Sequence, residues 1–274
     1  MEPAVRWDAA QYERFARERS RPFLDLLARV GEIEPRRIAD LGCGTGELTR
    51  LLLRRWPRAT VWGVDSSLEM LERARRSPAS PNLRFVRRDL RRWRPTRPLD
   101  LIVSNAVLQW LPSHGRVLES LAELLGAKGT MAVQIPNNRR APASRAVEDL
   151  LAEPRWRTSL ARAAALPAVE APRFYAERLG ALGFQVDLWE TTYHHRLAAA
   201  AEIVEWLRGT TLRPILTAFP AAQAAAFLAA LKRRLRTAYP ADARGVVFPF
   251  QRIFFVATRR GRTGLRGSRR DPAP

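Results

Sequence analysis

The residues best placed to do chemistry are the run Asp40-Leu41-Gly42-Cys43-Gly44-Thr45-Gly46 and two further acids, Asp65 and Asp89. Three glycines at every second position break an apolar stretch (Ile38, Ala39, Leu41), and Glu47 to Leu53 follows as a helix. A strand, a tight turn and a helix N-terminus make a ligand cradle, because glycine accepts φ > 0 and lets a ligand approach without a Cβ in the way. Asp65 closes a second apolar run, Ala59 to Val64, 19 residues after Gly46. A carboxylate there can accept both hydroxyls of a ribose, as in the dinucleotide folds. Asp89 follows a third run, Leu83 to Arg87. Each acid alone is explicable as a helix cap. Asp65 supports an adenosine ligand, and three acids at successive strand ends form a constellation hard to obtain by chance.

Dinucleotide turns read G-x-G-x-x-G and seat a pyrophosphate on the helix N-terminus. Here the third glycine comes one position early and Glu47 takes the place of the last, where an acid would repel a pyrophosphate. NAD-dependent redox chemistry is therefore the weakest reading. The pattern D-L-G-C-G-T-G resembles instead the first motif of class I S-adenosylmethionine methyltransferases. Their ligand carries a sulfonium and an ammonium and no phosphate, which suits an acid at Asp40. The resemblance implies S-adenosyl-L-methionine as cofactor, with Gly42, Gly44 and Gly46 against it. It further implies Asp65 and Ser66 near the ribose, Asp89 on the adenine amino group and the Leu90 backbone N–H at the ring. Asn105 ends the next strand. The turn Ser104-Asn105-Ala106-Val107 lacks the N-P-P-Y character of enzymes that methylate amino groups of DNA bases or glutamine.

These residues need a sheet to hold them. Alternating strands and helices over 37–135 predict five strands in a doubly wound βα array. Pro98 to Asn105 reads as a buried parallel strand. Gln109 and Trp110 follow it and would face the methyl group from above the strand ends; a core role for Trp110 is the alternative. A helix is expected over Val117 to Leu125, a turn over 126–129 and a strand over Thr130 to Ile135. Later come helices at 142–156, 172–182, 202–208 and 221–239, and strands at 183–193 and 248–258. The fold class expected is α/β: a Rossmann-like, seven-stranded class I methyltransferase sheet with helices on both faces and a helical cap at about 197–244. The domain would span 37–260. Residues 1–36 form a helical segment in which Trp7, Tyr12 and Phe15 share one face. That segment either staples to the core or lids the cradle with Arg21 near an anionic group. Residues 261–274 read as a disordered basic tail.

Hydrophobic residues make up 46% of the 274, enough for a sizeable core. The single cysteine excludes an internal disulfide framework and fits a reducing cytoplasm. The N-terminus has no apolar signal-like stretch, and no run reaches the roughly 20 apolar residues of a membrane span. The net charge of +20 suggests a nucleic-acid partner at first sight. The basic residues are nearly all arginines, dispersed along the chain without interleaved aromatics, which favours solvated faces and a GC-rich codon supply.

Residues 6–260 resemble the trans-aconitate 2-methyltransferase family, on W-D-A-A-Q-Y near Trp7, S-N-A-V-L-Q-W-L-P at Ser104, T-T-Y-H-H at Thr191, G-T-T-L-R-P at Gly209 and F-P-F-Q-R-I-F-F-V-A at Phe248. The resemblance implies esterification of one carboxylate of a tricarboxylate. A carboxylate with a pKa of roughly 4 is already a nucleophile at neutral pH, so no general base is needed. No metal is needed either; three His and one Cys lack ligand spacing. Cations must hold the carboxylates that do not react, and the planar fork of arginine does this best. Arg213 and Arg252 are the candidates, with an internal salt bridge as the alternative for each. Tyr193 and His195 could add hydrogen bonds. A monomer acting on a small polyanion is expected. The competing readings are methylation of another acid, such as a malonyl group, and a basic nucleic-acid-binding protein with a vestigial cradle.

Overall fold

The computed structural model describes residues 16–76, 80–156 and 168–259. Trp7, Tyr12, Phe15 and the tail 261–274 lie outside them. Helix α1 (Ala16–Arg29) leads into β1 (Arg37–Leu41), α2 (Glu47–Arg55), β2 (Thr60–Asp65), α3 (Leu68–Arg76) and β3 (Leu83–Arg87). After β4 (Leu99–Asn105) come α4 (His114–Glu123), β5 (Leu125–Pro136), α5 (Pro142–Ala152), α6 (Pro172–Ala181) and β6 (Phe184–Leu197). Helices α7 (Ala200–Arg208), α8 (Arg213–Ala218) and α9 (Ala221–Ala238) precede the last strand, β7 (Val246–Arg259). The sheet order is β3-β2-β1-β4-β5-β7-β6. The first five strands pair in parallel, and β7 runs antiparallel between β5 and β6.

Period-two burial along the strands sets the layers. On β7, Ile253, Phe255 and Ala257 pack with Leu118 and Leu121 of α4 and Leu179 of α6. The alternate residues Phe254 and Val256 pack with Phe23 and Leu26 of α1 and Leu52 of α2. Helices therefore cover both faces. The order reverses between β1 and β4, and a crevice at the carboxyl ends of strands belongs at such a switch point. Ser104 Oγ donates to Leu41 O at 3.0 Å and ties those two strand ends together.

Two elements depart from the sequence expectation. The turn expected at 126–129 belongs to β5, whose pairing jumps from Leu99↔Leu125 to Leu101↔Thr130. The extra residues bulge out of the ladder, which glycines at 126 and 129 permit. The helices at 197–244, expected as a cap, do not pack alone: α5 packs with α7 and α9 through Val147, Leu150, Val204, Phe227 and Leu231. Tight apolar packing joins segments that local sequence treats as separate.

Candidate active site

All three turn glycines have positive φ: 77° at Gly42, 55° at Gly44 and 75° at Gly46. The turn is closed by Gly42 N donating to Val64 O (2.7 Å) and Gly46 N donating to Cys43 O (3.0 Å). A Cβ on Gly42 would collide with Val107, and one on Gly46 would lie 2.5 Å from Phe85 Cζ. A Cβ on Gly44 would meet nothing within 4 Å. Two glycines are thus required by packing, and the third fronts open space above the turn.

Asp65 is the acid that the turn presents. Its Oδ2 accepts from Gly44 N (2.9 Å) and its Oδ1 from Ser67 N (2.8 Å). Burial raises its pKa, opposed by those N–H donors. Ser67, not Ser66, caps α3, through Met70 N; Ser66 is exposed. Asp89 is half-buried, and Arg91 Nη2 and Nε hold its carboxylate at 2.7 and 3.0 Å, which keeps its pKa low. Leu90 beside it is buried.

Asp40 sits elsewhere than its expected cation-facing place. It is 3% exposed, beneath the turn, and accepts from the Thr49 hydroxyl at 2.6 Å. Burial pushes its pKa up to about 7. Asp40 therefore braces the turn against α2. The folded protein keeps a proton that the unfolded chain releases near pH 4, so stability falls as pH rises from about 4 to about 7. Asp40→Asn should remove that dependence. Its stability advantage over the parent, measured by denaturant unfolding without cofactor, should grow by on the order of 3 kcal/mol between pH 5 and pH 8. A constant difference would refute the buried-acid assignment.

Val107 packs on Gly42, and next to it, at Ala106, a cavity of about 150 Å³ begins. Its walls include Asn105 at the end of β4, Gln109 and Trp110 after it, Asn138 and Arg139 after β5, Ser144 of α5, Trp206 of α7, and Phe250 and Arg252 of β7. Ala106 takes φ 58°, and its carbonyl accepts from Gln109 Nε2 at 2.7 Å. Asn105 Oδ1 and Gln109 Oε1 are buried with no hydrogen-bond partner among the described residues. Arg252 is 3% exposed, with Nη1 on Gln134 Oε1 at 3.0 Å.

Three other candidates do not line the cavity. Tyr193 donates its hydroxyl to Asp25 Oδ2 at 2.6 Å, with the exposed Arg21 guanidinium 5.2 Å from its ring centroid. His195 is buried in an aromatic stack 4.8 Å from Trp206, and burial lowers its pKa to about 4. It is neutral at pH 7 and brings no charge to an anion. Arg213 opens α8, and the cavity meets the chain just before it, at Thr210 and Thr211. Arg139, absent from the sequence candidates, stands on the wall instead; the Asn137-Asn138-Arg139-Arg140 turn after β5 was its only signal.

A methyltransferase-domain family model matches residues 12–188. The trans-aconitate 2-methyltransferase of Streptomyces avermitilis is 48% identical over 259 residues, covering 92% of this chain and 96% of that protein. That of Methylobacterium nodulans is 46% identical over 255 residues, covering 92% and 98%. The solved YcgJ protein of Bacillus subtilis shares the fold with a TM-score of 0.57 at 16% identity, over 88% of this chain and 99% of that one. Phosphoethanolamine N-methyltransferase 2 of Haemonchus contortus, in complex with S-adenosyl-L-methionine, gives 0.52 at 15% identity, over 87% and 52%. The matched domain, the sheet and the glycine turn define a class I, S-adenosyl-L-methionine-dependent methyltransferase. Within that class, the chain belongs to the trans-aconitate 2-methyltransferase family.

Proposed function

We propose that the protein esterifies one carboxylate of trans-aconitate or a closely similar small polycarboxylate. The observation that carries this is a nearly sealed arginine, Arg252, in the wall of a small cavity that opens one residue from the glycine-turn contact. Buried guanidinium groups call for anions, and a cavity of this size suits a small acid. The relatives' names supply the particular acid.

The cofactor, when bound, supplies an electrophilic methyl group on a sulfonium. The residues fit it: open space above Gly44 leaves room, Asp65 retains lone pairs for ribose hydroxyls, and Asn105 Oδ1 lacks a donor. Asp89 remains the adenine candidate, and Arg21 the residue of α1 for an anionic group. Arg252 and Arg139 would hold the carboxylates that do not react. Trp110 and Gln109 would wall the reacting one against the turn and exclude water. The substrate arrives ionised, so no residue must remove a proton, and rate comes from placement, which can supply roughly 7–11 kcal/mol. The α5 and α7–α9 helices serve as the substrate cap over 197–244 and 142–152. Among the described residues no helix is long and apolar enough to cross a membrane. A cytoplasmic monomer without a nucleic-acid partner is the reading we adopt.

Labelled S-adenosyl-L-methionine offered with trans-aconitate, other di- and tricarboxylates and malonyl thioesters tests the proposal. Methyl ester should form on trans-aconitate; preference for the thioester would overturn it. Asp65→Ala should raise the cofactor Kd roughly 10- to 100-fold, since charged hydrogen bonds to the ribose and to Gly44 N are lost. Calorimetry showing an unaltered Kd would remove the ribose role.

A further inference from the structure

Residues 168–170 give the cavity one buried side chain and make three main-chain bonds to what surrounds it. Ala168 and Glu170 are exposed, but Val169 between them is buried and lines the cavity. Ala168 N donates to Gln109 O at 2.9 Å, on the loop after β4. Val169 O accepts from Arg139 Nη1 at 3.3 Å, on the loop after β5. Glu170 N donates to the Tyr175 hydroxyl at 3.2 Å. The first two partners are wall residues, and the third stands behind the wall.

Tyr175 is the fixed point of the three. It lies on α6 with no exposed surface, its ring centroid 5.7 Å from that of Phe255 on β7 and 5.6 Å from that of Phe174, which meets it edge-on. Its hydroxyl is also 2.7 Å from Nδ1 of the buried His114, the first residue of α4. Burial lowers the pKa of His114, against the Leu108 and Leu111 carbonyls and the charge of Glu170, so the ring is neutral at pH 7. Nδ1 can then accept the phenolic proton while the phenolic oxygen accepts from Glu170 N. Phenylalanine would fill the same core volume with no hydroxyl to satisfy. The hydroxyl instead ties the helices packed on the sheet to the segment that Arg139 leans on. Arg139 is exposed, and an exposed arginine loses rotamer freedom when it binds an anion. Its bond to Val169 O removes part of that freedom beforehand and leaves the other N–H groups of the fork for a carboxylate.

Resting on the reading of the cavity as a polyanion site, we propose that Tyr175 is a positioning residue for the substrate: its hydroxyl fixes the 168–170 segment, and the Val169 carbonyl in turn presets Arg139 for a carboxylate that does not react. Tyr175 does not line the cavity; it acts through Arg139.

The test is a double-mutant cycle on the full chain, with Tyr175→Phe and Arg139→Ala. Melting temperature, cofactor Kd, and KM and kcat for trans-aconitate are read for each variant. Tyr175→Phe should melt below the parent and keep the parental cofactor Kd. Its KM should rise roughly 5- to 10-fold with kcat within about 2-fold of the parent, because the carboxylate that Arg139 holds is not the one that reacts. In the Arg139→Ala background the same substitution should move KM by less than about 2-fold. A merely structural tyrosine would lower the melting temperature and leave KM alone, or shift KM equally in both backgrounds; either result overturns the inference. Should Tyr175→Phe not fold, Val169→Gly takes its place in the cycle, since it deletes the buried side chain and frees the carbonyl that Arg139 uses. No KM shift there, or the same shift with and without Arg139, overturns the inference equally. A parent enzyme that neither methylates nor binds trans-aconitate would instead bring down the substrate reading.

Discussion

Gly44→Ala is expected to yield a folded enzyme that no longer binds its cofactor, while Gly42→Ala, two residues away, is strongly destabilised. Both glycines are left-handed, so each alanine carries a backbone penalty of about 1–2 kcal/mol. They differ in what the new methyl meets. At Gly44 it meets nothing within 4 Å, so the folded protein should lose little beyond the backbone term. The methyl would occupy the space that a ligand needs against the turn, and the cofactor Kd should rise at least about 100-fold, equivalent to roughly 3 kcal/mol. At Gly42 the methyl overlaps Val107, which leads into the cavity wall at Ala106. Overpacking of that kind adds about 1–3 kcal/mol, so the total reaches about 2–5 kcal/mol, a large part of a domain's stability. Denaturant melts and calorimetry separate the two outcomes. A Gly44→Ala enzyme with parental cofactor affinity would remove the turn from the binding site.

Arg252→Ala should have the largest effect on turnover, with kcat/KM for trans-aconitate falling on the order of 1,000-fold. The reason is burial. A guanidinium that is 3% exposed interacts through little water, so its attraction for a carboxylate is weakly screened. Truncation also strands Gln134 Oε1 inside the protein, and some loss of stability is expected with the loss of activity. Arg252→Lys keeps the charge without the fork and should recover part of the rate. Cofactor affinity should change only a few-fold in either variant. Unaltered kcat/KM in a folded Arg252→Ala enzyme would place the polyanion elsewhere. Arg139→Ala makes a useful comparison, because Arg139 is exposed and its charge is screened; its effect should be several-fold smaller.

The glycine turn, the strand-end acids and the five parallel strands were legible in the sequence because their causes are local. Three closely spaced glycines announce left-handed backbone, and a period of two or 3.6 announces an element. Strand β3 took the boundaries expected of it, Leu83–Arg87. Tyr193, His195 and Arg213 were chosen as residue types suited to an anion, and residue type does not say what a side chain touches. Tyr193 spends its hydroxyl on Asp25, 168 positions earlier in the chain. His195 loses its basicity to burial beside Trp206.

By itself the sequence determined the cradle, the order of strands and helices, and the likeness to a methyl-transferring family, since each depends on residues close together in the chain. Tertiary structure alone decided that Asp40 braces the turn, that Arg252 is the buried cation, and that Gln134, 118 positions away, holds it. Solvation and charge pairing depend on distances in space, and those exist only once the sheet has brought β4, β5 and β7 side by side.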